Sequence, residues 1–337
     1  MSRPDWGIGI IGLGDVANLH LEAYRKIGLN VIGGAELDAR KRDMMKEKWK
    51  LSVVVEDFKE LISRPEVKIV DVALPQIFKI RKPIIEYASQ QGKALFVQKP
   101  LSIYLSEAKQ LVEIAESHRV PFMVNQNSVF VPSFMAMDPY LRDSRYIGTP
   151  YYFQIENTGW WFPKDKWLMK LDRHISSGLG IHYYALAIHW FGDWESVYAM
   201  VGRDASQTGL KGDSLGIVSV KFKNGVKGLI INNVCYRGSR IRRHEIIIQG
   251  DAGSITGDSE DICITTVNPP SEIRPKIQGK WEPDAFANSM SHFVDSLDKG
   301  TSFLFSGREN LKTVALLEAI YLSAAERREV RSDELLP

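Results

Sequence analysis

One stretch near the start of the chain has the residue types and spacing to hold a dinucleotide. The apolar run Ile8-Gly9-Ile10-Ile11 passes directly into Gly12-Leu13-Gly14-Asp15-Val16-Ala17. A second apolar run, Val31-Ile32-Gly33-Gly34-Ala35, ends on Glu36, 22 residues after Gly14. In a strand–turn–helix–strand unit Gly12 permits the tight turn. Gly14 lets the backbone amides around Asp15 and Val16 approach a pyrophosphate, and Ala17 is small enough for close helix–strand packing. The helix N-terminus adds unpaired N–H groups and a positive dipole end. Glu36 is placed to accept hydrogen bonds from a ribose diol. Like charge makes it disfavour a 2′-phosphate, so NAD is preferred to NADP. Arg40, just beyond the acid, can pair with such a phosphate and pulls the other way.

Further residues point to a substrate. Trp160 and Trp161 lie in a polar loop after a strand, and indole faces stack on the C–H faces of sugars. Trp190 and Trp194 read as core. Arg173, beside His174, precedes a helix and is a second candidate for substrate contact. His182 and His189 are seven apart, whereas a metal pair prefers i,i+4 with acids nearby, so no metal is expected. Arg237, Arg240, Arg242 and Arg243 alternate as a solvated strand edge would.

Positioning the glycine turn requires a parallel sheet. The first third alternates helices over 19–27, 38–49, 58–63, 82–91 and 106–118 with strands over 67–74, 94–97 and 121–124. This predicts an α/β fold whose residues 1–124 form a Rossmann, doubly wound parallel sheet that binds the dinucleotide. Beyond 124 the texture changes. A helix is expected over 133–143, then strands over 150–156, 196–201, 214–222, 225–233 and 244–249. Lys223-Asn224-Gly225 is a hairpin signal, because Asn-Gly accepts positive φ. Helices are expected over 182–191, 284–299 and 309–327. Residues 125–337 should therefore form an α+β domain with a large, mainly antiparallel sheet, for substrate binding and oligomerisation. One face of such a sheet takes helices and the other must be covered or solvated. That predicts a homodimer or homotetramer through the sheet.

Composition is that of an ordinary globular protein. The chain has 337 residues, 44% hydrophobic and 25% charged, so it can bury a sizeable core in about two domains. A net charge of +2 gives no global field for nucleic acid or an anionic membrane. No apolar stretch approaches the ~18 residues of a membrane span. Met1 to Trp6 lacks the apolar segment of a secretory leader. Cys235 and Cys263 have no metal-ligand spacing. A reducing cytoplasmic location is the expectation.

Several motifs recur in a fixed order. The glycine turn is followed by His20, and Val97-Gln98-Lys99-Pro100 closes the fifth strand. Ile147-Gly148-Thr149-Pro150 leads into the second domain. Gly180-Ile181-His182 and Trp190-Phe191-Gly192 bound one helix, and Ser306-Gly307-Arg308-Glu309-Asn310 precedes the last. Over nearly its whole length the chain resembles the glucose–fructose oxidoreductase, inositol dehydrogenase and rhizopine-catabolism (Gfo/Idh/MocA) family. The resemblance implies NAD or NADP in the first domain and a sugar, inositol or related polyol as substrate. It implies that Lys99 sits between nicotinamide and substrate, its ammonium hydrogen-bonded to the reacting oxygen, with His182 as general acid/base. Leu74, Pro75, Gln98 and Asn127 join the cofactor contacts on the same ground, and Asn127 also the substrate contacts.

The chain departs from the family pattern in informative places. Gln98 replaces the glutamate of Glu-Lys-Pro, which removes a carboxylate beside Lys99. Gly178 stands where an aspartate often precedes the histidine by four residues, and Ala185 where another follows it by three. Leu74 replaces a threonine, and Val129 aligns with a common arginine. The expected function is NAD(P)-dependent hydride transfer at a carbinol carbon. The alternatives are a cofactor-binding regulator without turnover and a redox-neutral sugar-modifying enzyme with tightly bound NAD.

Overall fold

The strand β1 (Gly7–Ile11) is buried along its whole length and sits at the centre of a parallel sheet. The computed structural model describes residues 6–160, 166–205, 207, 209–238 and 244–336. Five more strands complete the first sheet: β2 (Val31–Ala35), β3 (Val53–Val55), β4 (Val67–Val72), β5 (Ala94–Gln98) and β6 (Phe122–Asn125). Their order is β3-β2-β1-β4-β5-β6, every pair parallel. The connecting helices are α1 (Asp15–Lys26), α2 (Ala39–Trp49), α3 (Phe58–Ile62), α4 (Phe78–Gln90) and α5 (Leu105–Ser117). The chain order reverses between β1 and β4, and in such sheets ligands bind outside the carboxyl ends of the strands at that point.

Local chemistry explains the helix starts. Asp38 caps α2, accepting from the amides of Arg40 and Lys41 at 2.9 and 3.3 Å, and Asp57 caps α3 through Lys59 N–H at 2.9 Å. The N-cap of α1 is Gly14, which has no side chain to cap with, so its first amides keep their donors for another acceptor. The helix starts at Asp15, ahead of the 19 expected from apolar periodicity, because it begins directly at the turn.

Residues 282–311 pack with this first unit, which consists of Met1–Asn127 and Glu282–Leu311. The sequence pattern had grouped that segment with the second domain. Tertiary packing decides otherwise: on the helix over 286–299, Phe286 meets the His20 ring at 5.0 Å and Phe293 meets Phe96 at 5.8 Å. Periodicity shows that this helix has an apolar face but not which sheet the face meets.

The second unit, Ser128–Trp281 with Lys312–Pro337, is built on a nine-stranded sheet. After α6 (Pro132–Arg142) and α7 (Ser144–Ile147) come β7 (Pro150–Thr158), α8 (Lys166–Met169) and α9 (Ile181–Phe191). Then follow β8 (Trp194–Gly202), β9 (Leu215–Phe222), β10 (Lys227–Asn233), β11 (Glu245–Gly250), β12 (Gly253–Gly257), β13 (Ile262–Val267) and β14 (Pro270–Ile273). The chain ends with α10 (Phe286–Lys299), α11 (Gly307–Glu326) and β15 (Val330–Arg331). The sheet order is β14-β13-β12-β11-β7-β10-β9-β8-β15, and only β7–β10 pair in parallel. Strands β12 to β14 fall where the sequence pattern carried none; they are short and rich in Ser and Thr, so alternation is weak. The β9–β10 hairpin turns at Asn224-Gly225 as expected, with Gly225 at φ +92°.

This sheet has two unlike faces. On the inner one Phe153, Phe191 and Phe222 form a triangle, with centroids 4.8, 5.9 and 5.5 Å apart, that fixes the end of α9. Trp194 is buried beneath α11 and donates to the Lys312 carbonyl at 3.2 Å. On the outer face Tyr198 and Met200 are 45% and 60% exposed, beside partly exposed Ile217, Leu229, Ile231 and Ile247. Among the described residues no helix is long and apolar enough to cross a membrane.

Candidate active site

The carboxyl ends of β1, β2, β4, β5 and β6 gather the residues expected to hold a dinucleotide. Gly12 has φ +91°, and a Cβ there would lie 2.6 Å from the Leu74 side chain, so the turn admits only glycine. Leu74 and Pro75, both half-buried, follow β4 beside that turn. The Glu36 carboxylate at the tip of β2 accepts from Leu13 N–H and from Asp38 N–H, each at 3.1 Å. It is thereby fixed against the glycine turn. Arg40 is exposed on the first turn of α2, while Arg42 donates to the Glu36 and Leu37 carbonyls at 2.7 and 2.8 Å.

These residues fit a bound dinucleotide. A Cβ built on Gly14 meets nothing within 4 Å, so space lies open at the uncapped end of α1. Val16 is half-buried and Asp15 exposed on the first turn, while Ala17 is fully buried against the sheet. At the end of β6, Asn125, Gln126 and Asn127 are all buried. Asn127 Oδ1 and both amide atoms of Asn125 and Gln126 have no hydrogen-bond partner among the described residues. Buried amides of this kind call for a ligand or ordered water.

Lys99 follows β5, half-buried, with Gln98 Oε1 accepting from its main-chain N–H at 2.7 Å. It keeps some solvent contact, yet its ammonium is desolvated: burial first, and the Arg81 guanidinium second, bring it down to about 7. Arg81, from α4, is 1% exposed and donates to the carbonyls of Leu74, Pro100 and Leu101. Taking a guanidinium out of water costs several kcal/mol. Charge-assisted hydrogen bonds of about 1.5–3 kcal/mol each offset that cost. Burial still brings Arg81 down to about 9. It ties the loop after β4 to the loop after β5. Sequence reasoning missed Arg81, because its partners are main-chain carbonyls that leave no trace in composition.

The remaining candidates lie in the second unit. His182 is 7% exposed on the first turn of α9, its ring edge-on to Trp281 at 5.5 Å, and its carbonyl accepts from Ser128 Oγ at 2.8 Å. Gly178 sits one turn earlier, with nothing within 4 Å of a built Cβ. The approach to α9 is organised by buried Asp213, which sequence reasoning also missed. It accepts from the amides of His174 and Ser176 at 2.7 and 2.9 Å and from Tyr321 OH at 2.7 Å. Arg173 is paired with Glu318 at 2.6 Å and lies over the Tyr321 ring, which makes it a brace between α11 and the segment before α9. Trp160 is 39% exposed, with the Arg237 guanidinium 4.0 Å over its ring. The two line an open cavity of about 500 Å³ with Tyr236 and Gly238. Trp161, Arg240, Arg242 and Arg243 lie outside the described residues.

The chain resembles known proteins over nearly its whole length. Residues 6–126 match the model of an oxidoreductase family's NAD-binding Rossmann fold, and residues 143–331 match that family's C-terminal alpha/beta domain. The D-apiose dehydrogenase of Paraburkholderia graminis is 26% identical over 97% of this chain and 89% of its own. The myo-inositol 2-dehydrogenase of Thermotoga maritima is 24% identical over 98% of this chain and 99% of its own. An oxidoreductase from Agrobacterium radiobacter, solved with NAD+, L-tartaric acid and magnesium, superimposes with a TM-score of 0.88 at 22% identity, covering 98% of this chain and 100% of that one. Levoglucosan dehydrogenase with NADH and L-sorbose gives 0.87 at 18% identity, covering 97% and 98%.

The open space at Gly14 yields a test. Gly14 has φ −81°, which any residue adopts. Gly14→Val should therefore fold normally, with an unchanged thermal midpoint. It should weaken NAD binding by at least roughly 100-fold, because the pyrophosphate loses its approach to the amides. Calorimetric titration checks this; unchanged affinity would place the dinucleotide elsewhere.

Proposed function

Because this chain belongs to the Gfo/Idh/MocA oxidoreductase family, we propose that it transfers a hydride between a nicotinamide cofactor and a carbinol carbon of a sugar, inositol or related polyol. The observation that carries the reading is Lys99. It is a desolvated cation at the carboxyl edge of a parallel sheet, one strand from the glycine turn's partner β4. A bound nicotinamide supplies the hydride acceptor.

The chain's own residues do the rest. Amides at the start of α1 hold the pyrophosphate and Glu36 holds the ribose diol. Leu74, Pro75, Gln98 and Asn127 complete the cofactor walls. Lys99, as ammonium, stabilises negative charge on the reacting oxygen as the carbon–hydrogen bond breaks. His182 takes up the hydroxyl proton and returns it in the reverse direction. Trp160 gives an aromatic wall at the substrate end. Arg173, engaged with Glu318, acts as a structural brace.

NAD is the proposed cofactor. Glu36 is held by two amides, and moving it aside for a 2′-phosphate would cost the part-buried Leu13 N–H its acceptor. The half-exposed apolar face around Met200, Ile217 and Ile231 supports a homodimer or homotetramer through the second sheet. Sedimentation equilibrium should give two or four times the 38.1 kDa chain mass; a monomer at micromolar concentration contradicts it.

Turnover with D-apiose and myo-inositol, each with NAD and NADP, tests the activity. NAD should give the higher kcat/KM. Lys99→Met should lower turnover by at least roughly 100-fold, comparable to losing one oxyanion donor, with little change in cofactor affinity. His182→Ala should lower it by roughly 10- to 100-fold. Near-normal turnover in folded Lys99→Met would remove that assignment. NAD binding without turnover of any polyol would favour the non-catalytic regulator.

A further inference from the structure

A buried polar chain runs through the first unit to Lys99, and its inner members His20, Tyr24 and Asp71 have no part in the nucleotide site described above. Asp71, next to the carboxyl end of β4, is fully buried, as are His20 and Tyr24 on α1, and Gln98 is 6% exposed. Asp71 Oδ2 lies 2.6 Å from His20 Nδ1 and accepts from Tyr24 OH at 2.7 Å. His20 Nε2 lies 3.3 Å from Gln98 Nε2, and Gln98 Oε1 accepts from Lys99 N–H at 2.7 Å. The rings of Phe96 and Phe286 enclose the imidazole.

The direction of every bond follows from one donor that has no choice. The main-chain N–H of Lys99 can only donate, so the carboxamide oxygen of Gln98 must face it. The amide nitrogen of Gln98 then faces His20, and it too can only donate. His20 Nε2 must therefore present its lone pair, which puts the proton on Nδ1, aimed at the Asp71 carboxylate. The sequence Lys99 N–H, Gln98, His20, Asp71 is singly oriented, and Tyr24 OH, 3.2 Å from His20 Nδ1, donates to the same carboxylate oxygen.

We propose that Gln98 is a positioning residue, which suspends Lys99 from this chain and requires His20 in its neutral Nδ1–H tautomer. The chain links the end of β5 to α1, so it fixes the main chain of Lys99 relative to the helix that receives the pyrophosphate. A glutamate at 98 would reverse the polarity. Its oxygens would only accept, so His20 would need protons on both nitrogens, and a carboxylate would stand beside Lys99. Arg81, from α4, is a charged neighbour of Lys99, and Asp71 is engaged with His20 and Tyr24 on the far side of the amide. The importance of this chain for turnover rests on the Lys99 reading above; the tautomer does not.

Histidine-selective ¹⁵N NMR of the full chain with NAD tests the proposal, the His20 signals being assigned by their loss in His20→Gln. Wild type should show His20 protonated on Nδ1 and bare on Nε2. Gln98→Glu should show both nitrogens protonated at the same pH, and the limb of the pH–rate profile belonging to Lys99 should move up by about one unit or more. Gln98→Met, which keeps the volume and removes both hydrogen bonds, covers a failure of the charged variant to fold. It should lower turnover by at least about 10-fold at saturating NAD. A wild-type His20 protonated on Nε2, or a Gln98→Glu spectrum identical to wild type, overturns the proposal. A doubly protonated His20 in Gln98→Glu with an unmoved pH profile upholds the chain and instead removes Lys99 from the reaction.

Discussion

A lysine ammonium held out of water, with an arginine guanidinium close by, is the constraint on which the nucleotide-binding unit depends. A desolvated cation favours losing its proton, and a second cation nearby strengthens that tendency. Here Gln98 occupies the place next to Lys99, and the buried carboxylate, Asp71, is engaged with His20 and Tyr24. The result is an amine poised near neutrality at the end of β5.

The surrounding elements make that arrangement rigid. Arg81 joins the loops after β4 and β5 through their carbonyls, so the two strand ends that flank the site move as one. The chain from Lys99 through Gln98 and His20 to Asp71 adds α1 to the same body. Glu36 braces the glycine turn from the other side. Buried polar networks cost more than apolar packing unless every member is oriented. Those here meet at Lys99, at the carboxyl end of β5.

Much of this was legible in the residues. The glycine turn, Glu36 and the alternating strands and helices specify the parallel sheet because each imposes a local backbone demand. The hairpin at Asn224-Gly225 was legible for the same reason. What stayed hidden is tertiary. Arg81 lies before the helix expected over 82–91, and its partners are main-chain carbonyls. Asp71 was visible as an acid inside an apolar strand, and that misfit was the available signal for a buried network. Asp213 precedes a strand and gives no sign that it organises the turn before α9. The return of 282–311 to the first unit, and the short strands β12 to β14, depend on packing that periodicity does not encode.

The titration of Lys99 itself tests this account most directly. Competitive acetylation of the intact protein across neutral and alkaline pH, read lysine by lysine by mass spectrometry, reports the proton affinity of each amine without reference to any substrate. Below about 7 Lys99 should be protonated and unreactive, and above it neutral and acetylated ahead of the surface lysines. A Lys99 that titrates with the surface lysines, near ~10.4, would contradict the desolvated site around which the unit is organised.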